Sequence, residues 1–394
     1  MKPPTCSSLN RASKHHYRRM LRFLGAFWIW MSWNMPIPSS GQDLMTSWEI
    51  QTIAGDGQPG YRGDGGPATQ ARIQNPYGLA VGPDGDLHFC DMDNHVIRRI
   101  DKHGHMHTVA GCGVAGYRGD GGPALEAQLW QPYEICFDTE GDLYLVEMPN
   151  HVVRKIDQSS QVIQTIAGTG QAGLGGDGGL ANQAMLSRPH SIALDPWGNL
   201  VICDIGNHRV RRVGRLNQKI ETLSGNGQKV ETIDRSPLYR SPLKGPRALA
   251  FDREGNAWLA LREGNAIWKM DLHRGRLHHM AGTGEKGFTG HNGPVRQAKL
   301  SAPKGISLDP KGNVWFADTE SHSIRMIEAT THTMRCIAGN GQRGDGPDGD
   351  SKACQLARPH GIFAAKDGSV YIGDSENHRI RRLTPLPDRE VKAP

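Results

Sequence analysis

Six polar side chains recur along the chain at intervals of 56 or 57 residues, and each directly follows a proline. They are Tyr77, Tyr133, His190, Arg247, Lys304 and His360. Two phenols, two imidazoles, a guanidinium and an ammonium can together bind an anionic or sugar-like ligand. The same groups can also exchange protons in general acid–base catalysis. The position after each of them is mostly small, except for Glu134, which adds a carboxylate to the set.

The interval between these residues is that of an internal repeat. The segment "NHVIRRI", which begins at Asn94, has five counterparts further along the chain. They are "NHVVRKI", "NHRVRRV", "GNAIWKM", "SHSIRMI" and "NHRIRRL", which begin at Asn150, Asn207, Gly264, Ser321 and Asn377. Six copies of nearly constant length indicate one array of equivalent units rather than several unrelated domains.

Each copy is predicted to form four short strands. In the first copy "YGLAV" and "LHFCD" form two strands that are joined by a tight turn at "GPDGD". "HVIRRI" and "MHTVAG" follow as the third and fourth strands. A glycine-rich loop then leads to the proline that opens the next copy.

The two ends of the array predict that it closes into a ring. The segment "EIQTIAG" (49–55) looks like a fourth strand without a preceding copy, whereas the last copy stops after its third strand, "HRIRRL". Pairing the two completes the last unit and removes an exposed edge, while a solenoid would leave both ends unpaired. We therefore predict an all-β fold, a six-bladed β-propeller over residues 49–383 that is closed by its N-terminal strand. Residues 384–394 are predicted to form a disordered tail.

In a propeller the innermost strand of each blade lines a central channel, so the residues that open these strands should meet at one channel mouth. The predicted ligand-binding residues are Tyr77, Tyr133, Glu134, His190, Arg247, Lys304 and His360. They vary in type while their surroundings repeat, as expected where a ligand makes a different demand on each blade. No catalytic residue is predicted, because His190 and His360 belong to opposite blades and a third histidine for a catalytic zinc site is missing.

A second set of recurring residues is predicted to be structural. The carboxylates Asp91, Glu147, Asp204, Asp318 and Asp374 recur with the arginines Arg98, Arg154, Arg211, Arg325 and Arg382. Between packed sheets such charges must be paired, which predicts one ion pair in each of these blades. The histidine of each copy is expected to tie the turn between the second and third strands. The fourth copy departs from the pattern with Leu261, Asn265 and Trp268, which suggests that the three positions act as a unit.

The glycine-rich loops carry an aspartate in "GDGG", at Asp64, Asp120 and Asp177. An Asx-turn that shapes the loop is the favoured interpretation. Calcium binding is the alternative, although the spaced carboxylates of an EF-hand loop are absent. No cofactor is predicted, and a divalent metal, calcium or zinc, is the alternative.

The motifs "DMDNHVIRRI", "DIGNHRVRRV" and "DSENHRIRRL" resemble the NHL repeat, which is named after its Asn-His-Leu signature. The loop "GYRGDGGPA" is similar to that of exported bacterial NHL-repeat proteins. This resemblance implies a propeller in a functionally mixed family of protein-binding and RNA-binding members. Related propellers act as peptidyl-hydroxyglycine amidating lyases or metal-dependent lactonases. A ligand-binding or protein-binding scaffold is the predicted function, and an enzyme of one of these two types is the alternative.

The net charge of +6 belongs to the N-terminal segment rather than to the repeats. Six of the 46 basic residues precede residue 23, and the remaining 40 balance the 40 acidic residues. The repeats are thus neutral and give no argument for a nucleic-acid partner. Residues 1–41 combine this basic stretch with the apolar run "FLGAFWIWMSW", which is typical of an export signal. The expected location is outside the cytoplasm, with membrane attachment only if the segment stays uncleaved as an anchor.

Overall fold

The computed structural model describes residues 47–387, in which 26 β-strands and eight short 3-10 helices form six antiparallel sheets. The chain enters through β1 (Trp48–Ala54), which belongs to the last sheet. Blades 1 to 3 consist of β2 (Pro76–Val81), β3 (Leu87–Asp91), β4 (Val96–Ile100) and β5 (Met106–Ala110); β6 (Pro132–Phe137), β7 (Leu143–Glu147), β8 (Val152–Ile156) and β9 (Ile163–Ala167); β10 (Ser191–Leu194), β11 (Leu200–Asp204), β12 (Arg209–Val213) and β13 (Ile220–Ser224).

Blades 4 to 6 follow the same order, with an additional two-residue strand at the outer edge of blades 5 and 6. Their strands are β14 (Pro246–Phe251), β15 (Ala257–Leu261), β16 (Ala266–Asp271) and β17 (Arg276–Ala281); β18 (Gly293–Pro294), β19 (Pro303–Leu308), β20 (Val314–Asp318), β21 (Ser323–Ile327) and β22 (Thr333–Ala338); β23 (Gly349–Asp350), β24 (Ile362–Ala364), β25 (Val370–Asp374) and β26 (Arg379–Pro385). The 3-10 helices are Ala68–Gln70, Met92–Asn94, Ala124–Glu126, Ala181–Gln183, Ile205–Asn207, Val295–Gln297, Thr319–Ser321 and Ser375–Asn377.

The all-β six-bladed propeller and its closure by the N-terminal strand are both confirmed. Strand β1 pairs antiparallel with β26 and thereby becomes the fourth strand of blade 6. The register places Ile50 opposite Leu383 and continues to the pair of Trp48 with Pro385. Strand β26 therefore extends two residues beyond the predicted end of the propeller at residue 383. The predicted export segment, residues 1–41, and most of the predicted tail lie outside the described residues.

The hydrophobic core lies between neighbouring blades, because side chains of a strand alternate between the two faces of its sheet. Between blades 1 and 2, Cys90 and Ile97 pack with Leu145 and Ile163, and all four are fully buried. An equivalent cluster joins blade 6 to blade 1. Each blade is thus held on both sides, which keeps the six innermost strands at fixed positions around the channel.

Four of the five predicted ion pairs are present, in blades 1, 2, 3 and 5, and each of their arginines also binds the glycine-rich loop. Arg98 is fully buried and lies 3.3 Å from Asp91 in its own blade. Its Nε and a terminal nitrogen also donate to Asp64 at 3.2 and 2.6 Å. The same latch pair, as we call the strand carboxylate and its arginine, spans 3.2–3.4 Å in the other blades that carry it. The aspartate of "GDGG" is therefore a third member of this ionic cluster rather than an Asx-turn residue.

In blade 6 the latch arginine is Arg381, not Arg382 as the sequence analysis assigned. Arg381 lies 3.2 Å from Asp374, whereas Arg382 donates to Gln51 on the exposed side of the sheet. The two arginines are adjacent in a strand, so their side chains point to opposite faces and only one can reach the interior.

Four of the five repeat histidines connect neighbouring blades, which corrects the expectation that they tie their own turn, whereas Nδ1 of the fifth, His208, has no hydrogen-bond partner among the described residues. Each of the five adopts a left-handed backbone conformation, with φ between 50° and 58°. A 3-10 helix precedes four of them, and a turn precedes His151. His95 accepts a hydrogen bond from the backbone N–H of Gln131 at 3.2 Å, one residue before the proline that opens blade 2. Equivalent bonds link His151, His322 and His378 to the blade that follows each of them. In blade 4 Asn265 replaces the histidine and accepts a hydrogen bond from the backbone N–H of Ala302 at 3.0 Å. The link to the next blade is therefore kept although the histidine is absent.

Candidate ligand site at the channel mouth

The start of each innermost strand is fixed by two hydrogen bonds that the repeat supplies. In blade 1 the N–H of Gln74 donates to the latch carboxylate Asp91 at 2.7 Å, and Asn75 N–H donates to His378. Asn75 itself has a φ of 51°, a left-handed conformation that turns the chain into Pro76. The next residue, Tyr77, therefore starts from a firmly positioned backbone. The same arrangement of left-handed residue and proline precedes the other members of the predicted site.

The structure brings the predicted residues together in one cluster inside the channel. The Tyr77 ring stacks on His360 with 4.0 Å between centroids and meets the edge of Tyr133 at 4.8 Å. Tyr133 in turn contacts His190 at 4.6 Å, and the Arg247 guanidinium lies 5.0 Å from the centre of the Tyr133 ring. The cluster joins all blades, and we call its seven members the channel ring. It fills this end of the channel rather than lining an open pore.

The fifth and sixth blades contribute an ammonium–imidazole pair to the channel ring. Lys304 donates to His360 Nε2 at 2.8 Å and lies 3.3 Å from Glu320. His360 Nδ1 lies 2.8 Å from the carbonyl oxygen of Arg358, so the ring proton belongs on Nδ1 and Nε2 accepts. Burial lowers the pKa of Lys304 to about 7, assisted by the positive charges of Arg247 and Arg358. The pKa of His360 falls well below its usual value through burial and through Lys304.

His190 repeats this tautomer on the other side of the cluster. Its Nδ1 lies 2.7 Å from the carbonyl oxygen of Arg188, which leaves Nε2 as an acceptor toward the channel. Burial, together with the nearby Arg247, holds the pKa of His190 well below its usual value. Both ring histidines are thus neutral near pH 7 and cannot donate a second hydrogen bond.

Glu134 lies against Gly78 of the neighbouring blade, where a Cβ atom would collide with its backbone and carboxylate. This close approach of the innermost strands explains why small residues follow most members of the ring. Burial raises the pKa of Glu134 to about 8, while the charge of Arg247 acts in the opposite direction. Glu134 is therefore largely protonated at neutral pH and does not neutralise Arg247.

Arg247 is the feature that distinguishes the channel ring chemically. Its side chain is 6% exposed, and within residues 47–387 its guanidinium has no hydrogen bond or ion pair. Burial lowers the pKa of Arg247, so the surroundings disfavour its charge. The hydroxyls of Tyr77 and Tyr133 also have no hydrogen-bond partner among the described residues. The ring therefore presents unused donors around a desolvated cation, which is suited to holding an anionic group.

Two residues that were not predicted from the sequence, Glu320 and Arg358, support the ring from outside. Glu320 binds both Lys304 and Arg358, the latter at 2.7 Å, and Arg358 also binds Glu376 at 2.7 Å. Both occupy positions that differ between the repeats: Glu320 lies in the turn of the NHL motif and Arg358 directly precedes the opening proline. Variation between copies at these two positions was the available signal.

Among residues 47–387 no three His, Cys, Asp or Glu side chains are placed so that they could hold a metal ion. In that range no helix is long and apolar enough to cross a membrane. The six cysteines of the described residues are all free thiols.

Comparison with known proteins identifies the repeat. The family model of the NHL repeat matches residues 186–213 and 356–383, and that of the teneurin NHL domain matches residues 38–118. The chain is 27% identical over 274 residues to Protein SUPPRESSOR OF QUENCHING 1, chloroplastic, of Arabidopsis thaliana, which covers 66% of this chain and 26% of that protein. It is 25% identical over 270 residues to human NHL repeat-containing protein 2, covering 61% of this chain and 37% of the relative.

The chain thus spans little more than a third of these relatives at most. A solved structure of an auxiliary nutrient binding protein from Bacteroides thetaiotaomicron superposes with a TM-score of 0.62 at 19% identity, over 86% of this chain and 76% of that chain. This likeness shows the fold. Together with the six repeats in register, these matches establish that the chain is an NHL-repeat β-propeller protein.

Proposed function

We propose that the protein is a binding propeller whose channel ring recognises an anionic group, carried either by a small molecule or by a side chain of a protein partner. The observation that carries this proposal is the unpaired charge of Arg247. The five latch arginines are equally buried, and each lies within 3.4 Å of a carboxylate. Arg247 is the exception among these six buried guanidinium groups.

An unpaired buried cation costs several kcal/mol, because the desolvation of the charge is not compensated by an attracting partner. A bound anion would neutralise the guanidinium and offset this cost, which is a reason for the protein to retain the charge. Only a narrow group can reach the site, since His190, Arg247, Lys304 and His360 are 4–6% exposed. A carboxylate or a phosphate matches the bidentate geometry of a guanidinium and the nearby phenol hydroxyls.

Isothermal titration calorimetry with acetate, glucuronate and inorganic phosphate tests the proposal. At least one of them is expected to bind with a stoichiometry of one, and Arg247→Leu is expected to weaken that binding by about 1.5–3 kcal/mol. Arg253→Leu serves as the matched control, because Arg253 is an exposed arginine of the same blade at the far end of its innermost strand. Binding that survives in Arg247→Leu, or that is lost equally in Arg253→Leu, would contradict the assignment.

We further infer that the protein is exported, from the basic and apolar composition of residues 1–41. The mature chain is then expected to begin near Gln42. Mass analysis of the N-terminus after cell fractionation measures this directly. An intact N-terminus on cytoplasmic protein would exclude export without affecting the ligand proposal.

A further inference from the structure

A second cavity lies at the other end of the innermost strands. Counted from the proline that opens each blade, six members of the channel ring are the second residue and Glu134 is the third, whereas the cavity begins at the fifth and sixth residues. At about 3.3 Å per residue the two sites are on the order of 10 Å apart along a strand. The cavity has a volume of about 1200 Å³ and is formed by blades 4, 5, 6 and 1. This volume is ample for a drug-sized organic molecule.

The interior of this cavity is apolar and its rim is charged. Phe251, Leu308, Phe363 and Tyr371 contribute to its wall from three consecutive blades. The basic rim residues Arg253, Lys311 and Lys366 are exposed to solvent. Inside, Asp252 is occupied by Lys269 at 2.9 Å and by the indole N–H of Trp258 at 3.1 Å. Asp309 lines the same cavity and accepts hydrogen bonds from the side-chain amide of Asn313 at 2.8 Å and from the indole N–H of Trp315 at 2.9 Å. Both carboxylates of the wall are therefore already hydrogen-bonded by the protein.

The repeat is broken in blade 6 where the chain meets this cavity. Phe363 is the fifth residue counted from the opening proline of its blade, and the corresponding positions of the other blades hold small residues. These are Ala80, Cys136, Ala193, Ala250 and Ser307. The sixth position shows the reverse exchange, with Ala364 in blade 6 where blades 2 and 4 have Phe137 and Phe251. The exchange places an additional aromatic ring against the cavity.

A second departure in blade 6 frees a hydroxyl group. In blade 2 the hydroxyl of Tyr144 donates to Asp138, six residues earlier, at 3.1 Å. The indoles of blades 4 and 5 donate to aspartates at the same offset. In blade 6 that aspartate is replaced by Ala365, and the hydroxyl of Tyr371 has no partner among residues 47–387. Both residues line the cavity.

Ser307 provides another donor on the same wall. Its oxygen accepts the backbone N–H of Ala364 at 3.0 Å, while its own proton has no acceptor within the described residues. Burial raises the pKa of Tyr371, so its hydroxyl stays protonated and can donate at neutral pH. The cavity thus combines aromatic faces with two hydroxyl donors.

We propose that this cavity is a second binding site, and that it takes an uncharged organic molecule with a flat ring and at least one oxygen acceptor. Aromatic faces provide contact area at a small entropic cost, and the hydroxyls of Ser307 and Tyr371 orient the oxygen. The one cation of the inner wall, Lys269, is already paired with Asp252. An anion buried there would lack a partner, so the site differs in ligand class from the channel ring.

Nile red is a suitable probe, because it is neutral, flat and carries a carbonyl oxygen. Its fluorescence is expected to rise and saturate on titration with one site per chain. Phe251→Ala is expected to weaken binding by about tenfold, since it removes one aromatic wall. Phe137→Ala is the matched control, because Phe137 occupies the same strand position in blade 2 but lies outside the cavity. Circular dichroism confirms that both variants are folded.

Ala365→Asp provides an independent test. It recreates the aspartate of the sister blades, captures the Tyr371 hydroxyl and adds a carboxylate to the wall. Loss of Nile red binding in this variant, with unchanged anion binding at the channel ring, is the expected result. Equal losses in Phe251→Ala and Phe137→Ala, or no saturable binding by the native protein, would overturn the proposal. Arg247→Leu is expected to leave Nile red binding unchanged, so the two sites fail separately.

Discussion

Replacement of Arg247 by methionine should make the free protein more stable while removing its anion affinity. Methionine keeps the length and flexibility of the side chain and can still contact the Tyr133 ring through its sulfur. The substitution removes the charge of a residue that is only 6% exposed and that has no carboxylate partner among residues 47–387. Most substitutions of buried residues lower the free energy of unfolding, so an increase in Arg247→Met would be informative.

The magnitude follows from three contributions. Removing the unpaired charge regains several kcal/mol of desolvation free energy. Loss of the cation–π contact with Tyr133 costs about 2 kcal/mol at a desolvated site. Glu134, whose pKa is already raised to about 8, is expected to stay protonated and uncharged without its cationic neighbour. The free energy of unfolding should therefore rise by about 1–3 kcal/mol.

Chemical denaturation at pH 7 without ligand measures this change, and calorimetric titration of the same samples measures the anion affinity. Arg211→Met is the comparison, since Arg211 is as deeply buried but lies 3.4 Å from Asp204 and 2.7 Å from Asp177. That variant leaves a buried carboxylate unpaired and should lose about 3–5 kcal/mol. If Arg247→Met were destabilised to a similar extent, the charge of Arg247 would be part of the scaffold and the ligand argument would be refuted.

Three further outcomes are expected. Anion affinity at the channel ring should fall between about pH 6 and 9, because Lys304 and Glu134, with pKa values of about 7 and 8, both lose their protons in this range. Calorimetric titration across this range measures the change, and the affinity of Lys304→Met should depend less steeply on pH. Deletion of residues 47–54 should expose the edge of β26 and cause aggregation in light scattering, whereas deletion of 388–394 should not. Asn265→Ala should lower the free energy of unfolding by about 1 kcal/mol in denaturation, and Asn265→His should restore it.

The fold could be predicted because the repeat occurs six times at nearly constant spacing and because the two ends of the array complement each other. The unpaired strand predicted at 49–55 can supply the fourth strand that the last copy lacks, which closes the ring. The pairing of β1 with β26 confirms this. The latch pairs followed from the cost of burying a lone charge. The assignment failed at Arg382, where a shift of one residue moves the side chain to the other face of the strand.

The partners of loop residues could not be predicted in the same way. Asp64 is separated from Arg98 by 34 positions, and local sequence cannot show that the loop returns to the blade interior. A short-range Asx-turn was the simplest local explanation, and it is wrong because the ionic cluster is tertiary. The same limit hid Asn265, whose hydrogen bond to Ala302 depends on the position of the next blade.

Blade 4 separates what the scaffold needs from what it does not. There the latch pair is replaced by Leu261 and Trp268, which are 0% and 6% exposed, and the blade keeps its four strands. This agrees with the general finding that well-packed apolar residues can replace a buried ion pair without loss of stability. A blade that can dispense with its latch arginine has no structural need for a second, unpaired one at the start of its first strand. Arg247 stands in that same blade, which supports the proposal that its charge serves a ligand at the channel mouth rather than the fold.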